Sequence, residues 1–270
     1  MNAIEQMRLG GRTVVVTGGA GLLGQAYCKA FAGAGARVLL ADLDPVRCAE
    51  VAAEVSIASG GTCVPRPVDL ASEASVMEWG GRLLREFGAP DVLMNNAAAK
   101  SAGFFDPLAT ASLADWNQVM SVNVTAMFLV ARTLGVPMAS RGGGSIINVS
   151  SIYGVVGPDQ RIYEDSHHEG FGRSINTPLV YATSKGAVIA LTRYLATYWG
   201  SSGVRVNTLT PGGIRQGQND AFVSRYSARV PLGRMGEVEE LVAAAVFLAS
   251  DASNYITGHN LVVDGGWTAW

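Results

Sequence analysis

The stretch Thr13-Val-Val-Val-Thr-Gly-Gly-Ala-Gly-Leu-Leu-Gly24 decides the fold of this chain. A run of β-branched residues leads into a glycine-rich turn, and a helical pattern begins near Leu22. Glycines let the backbone approach a ligand closely, and the free amides at a helix N-terminus favour phosphate groups. The order of strand, glycine turn and helix therefore predicts a site for the pyrophosphate of a dinucleotide. The alternative is a glycine turn that only packs a helix against a strand.

Apolar runs and helical patterns alternate through the rest of the sequence. The runs are nearly continuous, which is typical of parallel strands buried on both faces. We predict strands at Thr13–Thr17, Arg37–Asp42, Thr62–Val68, Asp91–Asn95, Ser145–Ser150, Val204–Thr210 and Asn260–Val263. Crossover helices are predicted at Gln25–Gly33, Pro45–Ser59, Ser72–Phe87, Leu113–Ser140, Val180–Gly200 and Val238–Ser250. These elements predict an α/β fold, a Rossmann-type doubly wound seven-stranded parallel sheet, in a single domain over residues 1–270.

Composition limits the class of partner. The 20 basic and 22 acidic residues are scattered and give a net charge of −2, so we expect neither nucleic acid nor an anionic membrane as a partner. No apolar run reaches the length of a membrane span, and the first eight residues lack the apolar core of a signal peptide, so we expect a cytoplasmic protein. Cys28, Cys48 and Cys63 show no metal-ligand spacing, and we predict no metal site.

Asp42 ends the second predicted strand, eighteen residues after Gly24. A carboxylate at this point can accept hydrogen bonds from both hydroxyls of an adenosine ribose, and it would repel a 2′-phosphate. Neither Arg nor Lys occurs from Gly18 to Gly24 or directly after Asp42. The sequence therefore favours NAD over NADP. A solvated strand end is the alternative reading of Asp42.

Tyr181 and Lys185 are spaced by four residues, so they share one face of a predicted helix. An ammonium about 4 Å from a phenol contributes roughly 4 kcal/mol at an effective dielectric near 20, or about three pKa units. We therefore expect Lys185 to lower the pKa of Tyr181 toward the working pH and to make it a proton-transfer group. Chance spacing on an amphipathic helix is the alternative.

Together these motifs resemble the short-chain dehydrogenase/reductase family, in its short single-domain branch, over nearly the whole chain. The resemblance extends to Asp69-Leu70, Asn95-Asn-Ala-Ala98, Asn123, Ser151, the pair Tyr181 and Lys185, Pro211-Gly-Gly-Ile214 and the last segment Tyr255–Gly266. It implies that Tyr181 is the acid/base, that Lys185 also binds the nicotinamide ribose, that Ser151 orients the reacting oxygen and that Asn123 holds a water in a proton relay. Ser151 as a strand-end cap and Asn123 as a structural hydrogen-bonding residue remain alternatives.

The resemblance also implies a set of cofactor-binding residues. They are Gly18, Gly21, Leu22, Leu23, Gly24, Asp42, Leu43, Asp69, Leu70, Asn96, Ala97, Ala98, Tyr181, Lys185, Pro211, Gly212, Gly213 and Ile214. Some positions depart from the family pattern. Leu22 takes the place of the middle glycine, a spacing typical of the longer sugar-nucleotide-modifying branch, and Gln216 replaces a common threonine, which puts one pyrophosphate contact in doubt.

A polar insertion at about residues 157–178 is the largest departure. Ser151 and Tyr181 are 30 residues apart, against about thirteen in the usual pattern, so about seventeen residues are added beside the substrate. The insertion is either a lid or a local addition. Candidates to line the substrate pocket are Asp159, Arg161, Glu164, His167, His168 and Arg173, and a solvated loop is the alternative. Adjacent histidines without a third spaced ligand do not indicate a metal.

The resemblance and the polar insertion together predict the activity. We expect an NAD-dependent oxidoreductase acting on a secondary alcohol or ketone of a sugar or another small polyhydroxylated substrate, similar to bacterial members in sugar and surface-polysaccharide metabolism. A reductase of 3-oxoacyl groups or other ketones is the alternative enzyme, and an NAD-binding sensor without turnover is the alternative outside enzymes. The family also implies a homotetramer, in which the helices around Leu113–Ser140 and Val180–Gly200 pair with their symmetry mates.

Overall fold

Parallel strands from widely separated parts of the chain form one sheet in the computed structural model, which describes residues 2–168 and 173–270. In chain order the strands are β1 Thr13–Thr17, β2 Arg37–Ala41, β3 Thr62–Pro65, β4 Val92–Asn95, β5 Gly144–Val149, β6 His167–His168, β7 Arg173–Ser174, β8 Val204–Pro211 and β9 Asn260–Val263. The seven-stranded sheet has the order β3-β2-β1-β4-β5-β8-β9, and β6 pairs with β7 in a short antiparallel hairpin. The predicted doubly wound parallel sheet is confirmed.

Helices cover both faces of this sheet. They are α1 Ala3–Gln6, α2 Leu22–Gly33, α3 Pro45–Ser59, α4 Glu73–Phe87, α5 Leu113–Arg141, α6 Leu179–Trp199, α7 Asp220–Ser227 and α8 Glu239–Ala249. Val14 and Val16 of β1 pack in the core beneath α2, α3 and α8, while Val15 between them packs on the other side with Trp79 of α4. Alternate residues of one strand thus serve two cores, which is why the apolar runs are continuous.

The reversal of strand order next to β1 fixes where a ligand can bind. β1 pairs with β2 on one side and with β4 on the other, so the connections after β1 and β4 diverge and leave a crevice at the carboxyl ends of these strands. The predicted element bounds hold to within one residue except at two places. Helix α2 begins at Leu22, as its pattern had indicated, and not at Gln25. Strand β3 ends at Pro65 and not at Val68, although the Arg66 and Val68 amides still donate to the Leu40 and Asp42 carbonyls at 2.7 and 2.8 Å.

Helix α5 is long and apolar enough to cross a membrane by length and mean composition, although polar and charged residues interrupt its apolar run. Half of its apolar window is buried within the fold, where Leu129, Val130 and Leu134 pack with Trp79 of α4. We therefore assign α5 as a core crossover helix. It contains two π-helical stretches, Ser121–Thr125 and Ala131–Gly135.

The insertion is folded onto the body of the protein. Its 3-10 turn Gln160–Tyr163 buries Ile162 in an apolar cluster with Phe222 of α7 and Trp267 near the C-terminus. The Gln160 side chain donates to the Thr177 carbonyl at 2.9 Å and accepts from the Thr177 amide at 3.1 Å. These contacts make the segment a packed local insertion and not a detached loop.

The glycine turn after β1 tolerates little additional volume. Gly18 has a φ of +64°, and a Cβ built on Gly24 would lie 2.0 Å from the Gly18 carbonyl oxygen, so the first turn of α2 sits directly on the turn that precedes it. At the other end of the same helix, a Cβ on Gly33 would meet nothing within 4 Å.

We expect Gly24→Ala to lower the free energy of unfolding by about 1–3 kcal/mol, because the methyl group must displace the backbone of the glycine turn. Gly33→Ala is the matched control on the same helix and should be neutral or stabilising by up to about 1 kcal/mol. Thermal or urea unfolding of both variants measures the difference. Equal stabilities would contradict the close approach of α2 to the turn.

Candidate active site

A crevice of about 750 Å³ lies at the carboxyl ends of β1, β2 and β4. Most of the residues expected to bind a dinucleotide line it: Gly18, Gly21, Leu22, Leu23, Gly24, Asp42, Leu43, Asp69, Leu70, Asn96, Ala97, Ala98 and Tyr181. The sequence did not single out Ala20, Arg47, Val68, Ala71, Ala99, Lys100 and Val122, which also line it, and Gln216 lies there in spite of its departure from the family pattern.

The backbone at the start of α2 fits a pyrophosphate. Gly21 occupies the N-cap position and gives the helix no side-chain hydrogen bond, whereas Asp44, Ser72 and Ser112 cap α3, α4 and α5 with theirs. The first amides of α2 therefore face the crevice without a side-chain acceptor. This is the arrangement in which a helix N-terminus binds an anion.

Asp42 is fixed against the glycine turn. One carboxylate oxygen accepts from the Ala20 amide at 2.9 Å and the other from the Leu43 amide at 2.8 Å. Each oxygen keeps further acceptor capacity toward ribose hydroxyls. Arg47, in the first turn of α3, also lines the crevice, and its guanidinium lies 3.2 Å from the Glu50 carboxylate.

A second cavity, of about 390 Å³, adjoins the crevice. Ser151 and Tyr181 line it, together with Gly212, Gly213 and Ile214 of the loop after β8. Tyr181 lines both cavities and therefore stands at their junction. Pro211 ends β8 and lines neither cavity.

Ser151 and Tyr181 act on each other at this junction. Burial raises the pKa of Tyr181 above its usual range, and the Ser151 hydroxyl opposes that shift by hydrogen bonding to the phenol. The Ser151 oxygen also accepts from the Tyr153 amide at 3.3 Å and so caps the 3-10 turn Ile152–Gly154. The capping role and the expected orienting role are thus compatible in one side chain.

Lys185 does not act on Tyr181 as expected. The two residues share one helix face, with the Lys185 ammonium 5.7 Å from the centre of the Tyr181 ring. The ammonium donates to the Val149 carbonyl at 2.9 Å, and burial lowers the pKa of Lys185 to about 8. Lys185 is not among the groups that shift the Tyr181 pKa, so the expected three-unit lowering is wrong for this structure. The reason is that burial disfavours the charged form of both side chains.

Asn123 lies fully buried in the first π-helical stretch of α5. Its side chain accepts from the Ala99 amide at 2.9 Å and donates to the Ser184 hydroxyl at 3.0 Å, and Ser184 in turn donates to the Tyr181 carbonyl at 2.8 Å. Asn123 therefore connects α5 to the backbone that carries Tyr181. Its expected role in a water relay stays a prediction.

Comparison with known proteins agrees with this geometry. A family model described as enoyl-(acyl carrier protein) reductase matches residues 19–268. The chain is 38% identical over 269 residues to a 2,5-dichloro-2,5-cyclohexadiene-1,4-diol dehydrogenase of Sphingobium indicum, covering 97% of this chain and 98% of that protein.

The chain belongs to the short-chain dehydrogenase/reductase family.

Two further members of the family are similar over their full length. Galactitol 2-dehydrogenase (L-tagatose-forming) of Cereibacter sphaeroides is 35% identical, with 97% of each chain covered. The crystal structure of a gluconate 5-dehydrogenase from Burkholderia cenocepacia J2315, in complex with NADP and tartrate, matches with a TM-score of 0.88 at 31% identity over 100% of both chains. The fold and the family predicted from the sequence are therefore confirmed.

The charged candidates of the insertion do not line the cavity that holds Ser151 and Tyr181. Asp159 pairs with Arg161 and Arg229 at the surface, Glu164 lines a neighbouring groove, and His167 is exposed. The side chains of His168 and Arg173 lie outside the described residues. Charged groups keep their water and their ion pairs at the surface, and so the expectation that Asp159, Arg161, Glu164 and His167 line the pocket is wrong.

Other side chains of the insertion line the cavity instead. Tyr163, Asn176 and Thr177 come from the insertion, Tyr153 precedes it, and Gln218 lies between β8 and α7. Phe104 and Phe222 add aromatic surface. The composition of the insertion identified it as a candidate substrate-binding segment. Because the segment has no regular helical or strand periodicity, the sequence did not show which of its side chains face the cavity. Tyr153 could have been found from its position two residues after Ser151.

Proposed function

We propose that this chain is an NAD-dependent dehydrogenase that interconverts a secondary alcohol and a ketone of a small polyhydroxylated substrate. The observation that supports this most directly is the position of Tyr181, which lines both the dinucleotide crevice and the smaller cavity. One phenol can then reach a substrate oxygen on one side while a cofactor is held on the other. The coarser class, an oxidoreductase acting on CH–OH donors with a nicotinamide dinucleotide, follows from the family.

The side chains divide the chemistry between them. A bound nicotinamide dinucleotide accepts or supplies the hydride at the carbinol carbon. Tyr181 removes the proton from the hydroxyl in oxidation and returns it in reduction. Ser151 hydrogen-bonds the same oxygen and holds it in line with the phenol. Lys185 is buried, lines neither cavity and is fixed beneath Tyr181 by the Val149 carbonyl, and it would have to turn from that carbonyl to bind ribose hydroxyls.

The relatives and the cavity both support a polyhydroxylated substrate. Similar proteins include a galactitol 2-dehydrogenase, the D-threitol dehydrogenase of Mycolicibacterium smegmatis and a gluconate 5-dehydrogenase. Tyr153, Tyr163, Asn176, Thr177 and Gln218 give the cavity hydroxyl and amide groups at several points of its wall. A long apolar acyl chain would gain no hydrogen bond from these groups, whereas a polyhydroxylated substrate could, which disfavours the 3-oxoacyl alternative.

Asp42 supports NAD as the cofactor. Its carboxylate is held at the crevice wall by two backbone amides and would repel a 2′-phosphate. Arg47 is the cation that could offset this repulsion, but its neighbour Glu50 compensates its charge. Two similar structures contain NADP, and experiment decides the choice for this chain.

A homotetramer in the cytoplasm completes the proposal. Helices α5 and α6 expose apolar and aromatic surface, with Phe128 at 46%, Val136 at 48%, Tyr194 at 64% and Tyr198 at 63% of their full accessibility. Tyr194 and Tyr198 stack on each other at 5.9 Å between ring centres. Pairing of these helices with symmetry mates would bury that surface.

Tyr181→Phe tests the proposed activity. We expect kcat for alcohol oxidation, followed as NADH at 340 nm across a panel of polyols, sugar acids and acyl ketones, to fall about 10²–10⁴-fold, because the acid/base group is lost. The dissociation constant for NAD should stay within a few-fold of the native value. Tyr255→Phe, a fully exposed tyrosine that lines neither cavity, is the matched control and should leave kcat unchanged. Full activity of Tyr181→Phe would reject its role, and native protein that binds NAD without turning over any substrate would favour the sensor alternative.

The rate of oxidation should rise with pH. Tyr181 must be deprotonated to accept the proton, and burial places its pKa above the usual 10, so the reactive form grows about tenfold per pH unit below that value. We expect kcat/KM for oxidation to climb from pH 7 to pH 9 while Lys185, whose pKa is about 8, loses its charge over the same range. Ser151→Ala removes the group that lowers the Tyr181 pKa and should move the profile to higher pH. A plateau below pH 8 would contradict the upward shift.

Asp42→Asn tests the cofactor. The amide oxygen can still accept from the Ala20 amide, but the charge that repels a 2′-phosphate is gone, so the ratio of kcat/KM for NADP to that for NAD should rise about tenfold or more. Asp44→Asn removes an equal charge two residues further on, at an N-cap where Asn serves as well as Asp, and should leave the ratio unchanged. Native protein that prefers NADP would reject the choice of NAD.

A further inference from the structure

Three hydroxyl groups meet on the wall of the catalytic cavity, in a cluster that the proposed mechanism does not use. The Thr177 hydroxyl donates to the Tyr163 oxygen at 2.7 Å, and the Tyr163 oxygen lies 2.9 Å from the Tyr153 oxygen. All three residues line the cavity that holds Ser151 and Tyr181. We name Tyr153, Tyr163 and Thr177 the hydroxyl cluster.

The direction of these hydrogen bonds determines what Tyr153 can offer. Each hydroxyl has one proton to donate. Because Tyr163 receives the Thr177 proton, its own proton is available to the Tyr153 oxygen. Burial raises the pKa of both phenols, and Thr177 lies close enough to hydrogen-bond Tyr153 as well as Tyr163. When Tyr163 donates to Tyr153, the Tyr153 proton can rotate toward the cavity, where a ligand oxygen can accept it.

Tyr153 is also held beside the reacting groups. It follows Ser151 in one 3-10 turn, and its amide donates to the Ser151 oxygen. Its phenol is close enough to Tyr181 for a negative charge on it to raise the Tyr181 pKa. A substrate oxygen between Ser151 and Tyr181 would therefore have the Tyr153 hydroxyl near the next part of the molecule.

We propose that Tyr153, held by Tyr163 and Thr177, donates a hydrogen bond to a second oxygen of the substrate and selects vicinal diols and 2-hydroxyketones over simple secondary alcohols. This inference rests on the proposed function, because it assigns the specificity of the same site. A substrate without the second oxygen forfeits a hydrogen bond with the half-buried Tyr153 hydroxyl, and such a loss is the usual source of strong discrimination at a polar site.

The hydroxyl cluster also explains why a phenol, and not a flexible polar side chain, occupies this position. Tyr163 is itself fixed by its ring contact with Phe222, at 5.2 Å between ring centres, and Thr177 is fixed through its backbone by Gln160. The donor is thus preorganised by the folded insertion, and little rotamer entropy is lost when substrate binds.

The test compares cyclohexane-1,2-diol with cyclohexanol as substrates of the full chain with NAD, at 340 nm. We expect the native ratio of kcat/KM, diol over alcohol, to fall about tenfold to a hundredfold in Tyr153→Phe, while KM for NAD stays within a few-fold. Tyr163→Phe should lower the ratio by a smaller factor, because Tyr153 remains but loses its neighbour. The matched control is Tyr226→Phe, a phenol of the same cavity whose hydroxyl accepts from the Gly213 amide. It should change both substrates alike and leave the ratio unchanged.

The outcomes separate this inference from the proposed function. Native protein that oxidises neither alcohol overturns the proposed function and, with it, the inference. Native protein that oxidises the diol, together with an unchanged ratio in folded, NAD-binding Tyr153→Phe, overturns the inference alone. If Tyr153→Phe does not fold, Tyr163→Phe and Thr177→Val decide: a reduced ratio in both supports the inference, and an unchanged ratio in both rejects it.

Discussion

The burial of Lys185 beneath Tyr181 is the constraint on which the rest of the site depends. An ammonium removed from water is costly unless a polar group receives it, and here the Val149 carbonyl at the end of β5 does so. The turn after β5 packs against the same helix so closely that a Cβ on Gly154 would lie 2.6 Å from the Lys185 carbonyl. Ser150 donates to that carbonyl at 2.7 Å. The end of β5 and the start of α6 therefore hold each other, and Ser151 and Tyr181 are brought together as a result.

This constraint also changes how the catalytic pair is understood. The spacing of Tyr181 and Lys185 correctly indicates that they share a helix face, but spacing contains no information about the dielectric around them. Burial raises the pKa of the phenol and lowers that of the amine. The two pKa values therefore move apart, because the ordinary values are 10.0 for the phenol and 10.5 for the amine.

The sequence predicts the cofactor side better than the substrate side, for a physical reason. The dinucleotide crevice is formed mainly by backbone, so short stretches of sequence are enough to predict it. Glycine is required at Gly18 and Gly24, where no Cβ fits, and Asp42 stands at a strand end. The strands are predicted equally well, because burial on both faces makes each strand a continuous apolar run in the sequence.

The substrate side is built from side chains that only the tertiary fold brings together. The insertion, α7 and the C-terminal residues meet in one aromatic cluster, where Tyr226 stacks on Trp267 at 4.3 Å and the Arg229 guanidinium lies 5.3 Å from the Trp267 ring centre. Composition indicates that such segments are polar but not which side chains face inward. That is why the charged residues of the insertion were wrongly placed, and the hydroxyls of Tyr153 and Tyr163 were overlooked.

The same division between a cofactor side formed by backbone and a substrate side formed by side chains explains how similar proteins named for a chlorinated cyclohexadienediol, galactitol and gluconate can share one fold. A crevice formed by backbone accepts one kind of cofactor. The wall of the substrate cavity is formed by side chains, so substitutions can change it without moving the Tyr181 phenol that lines both cavities.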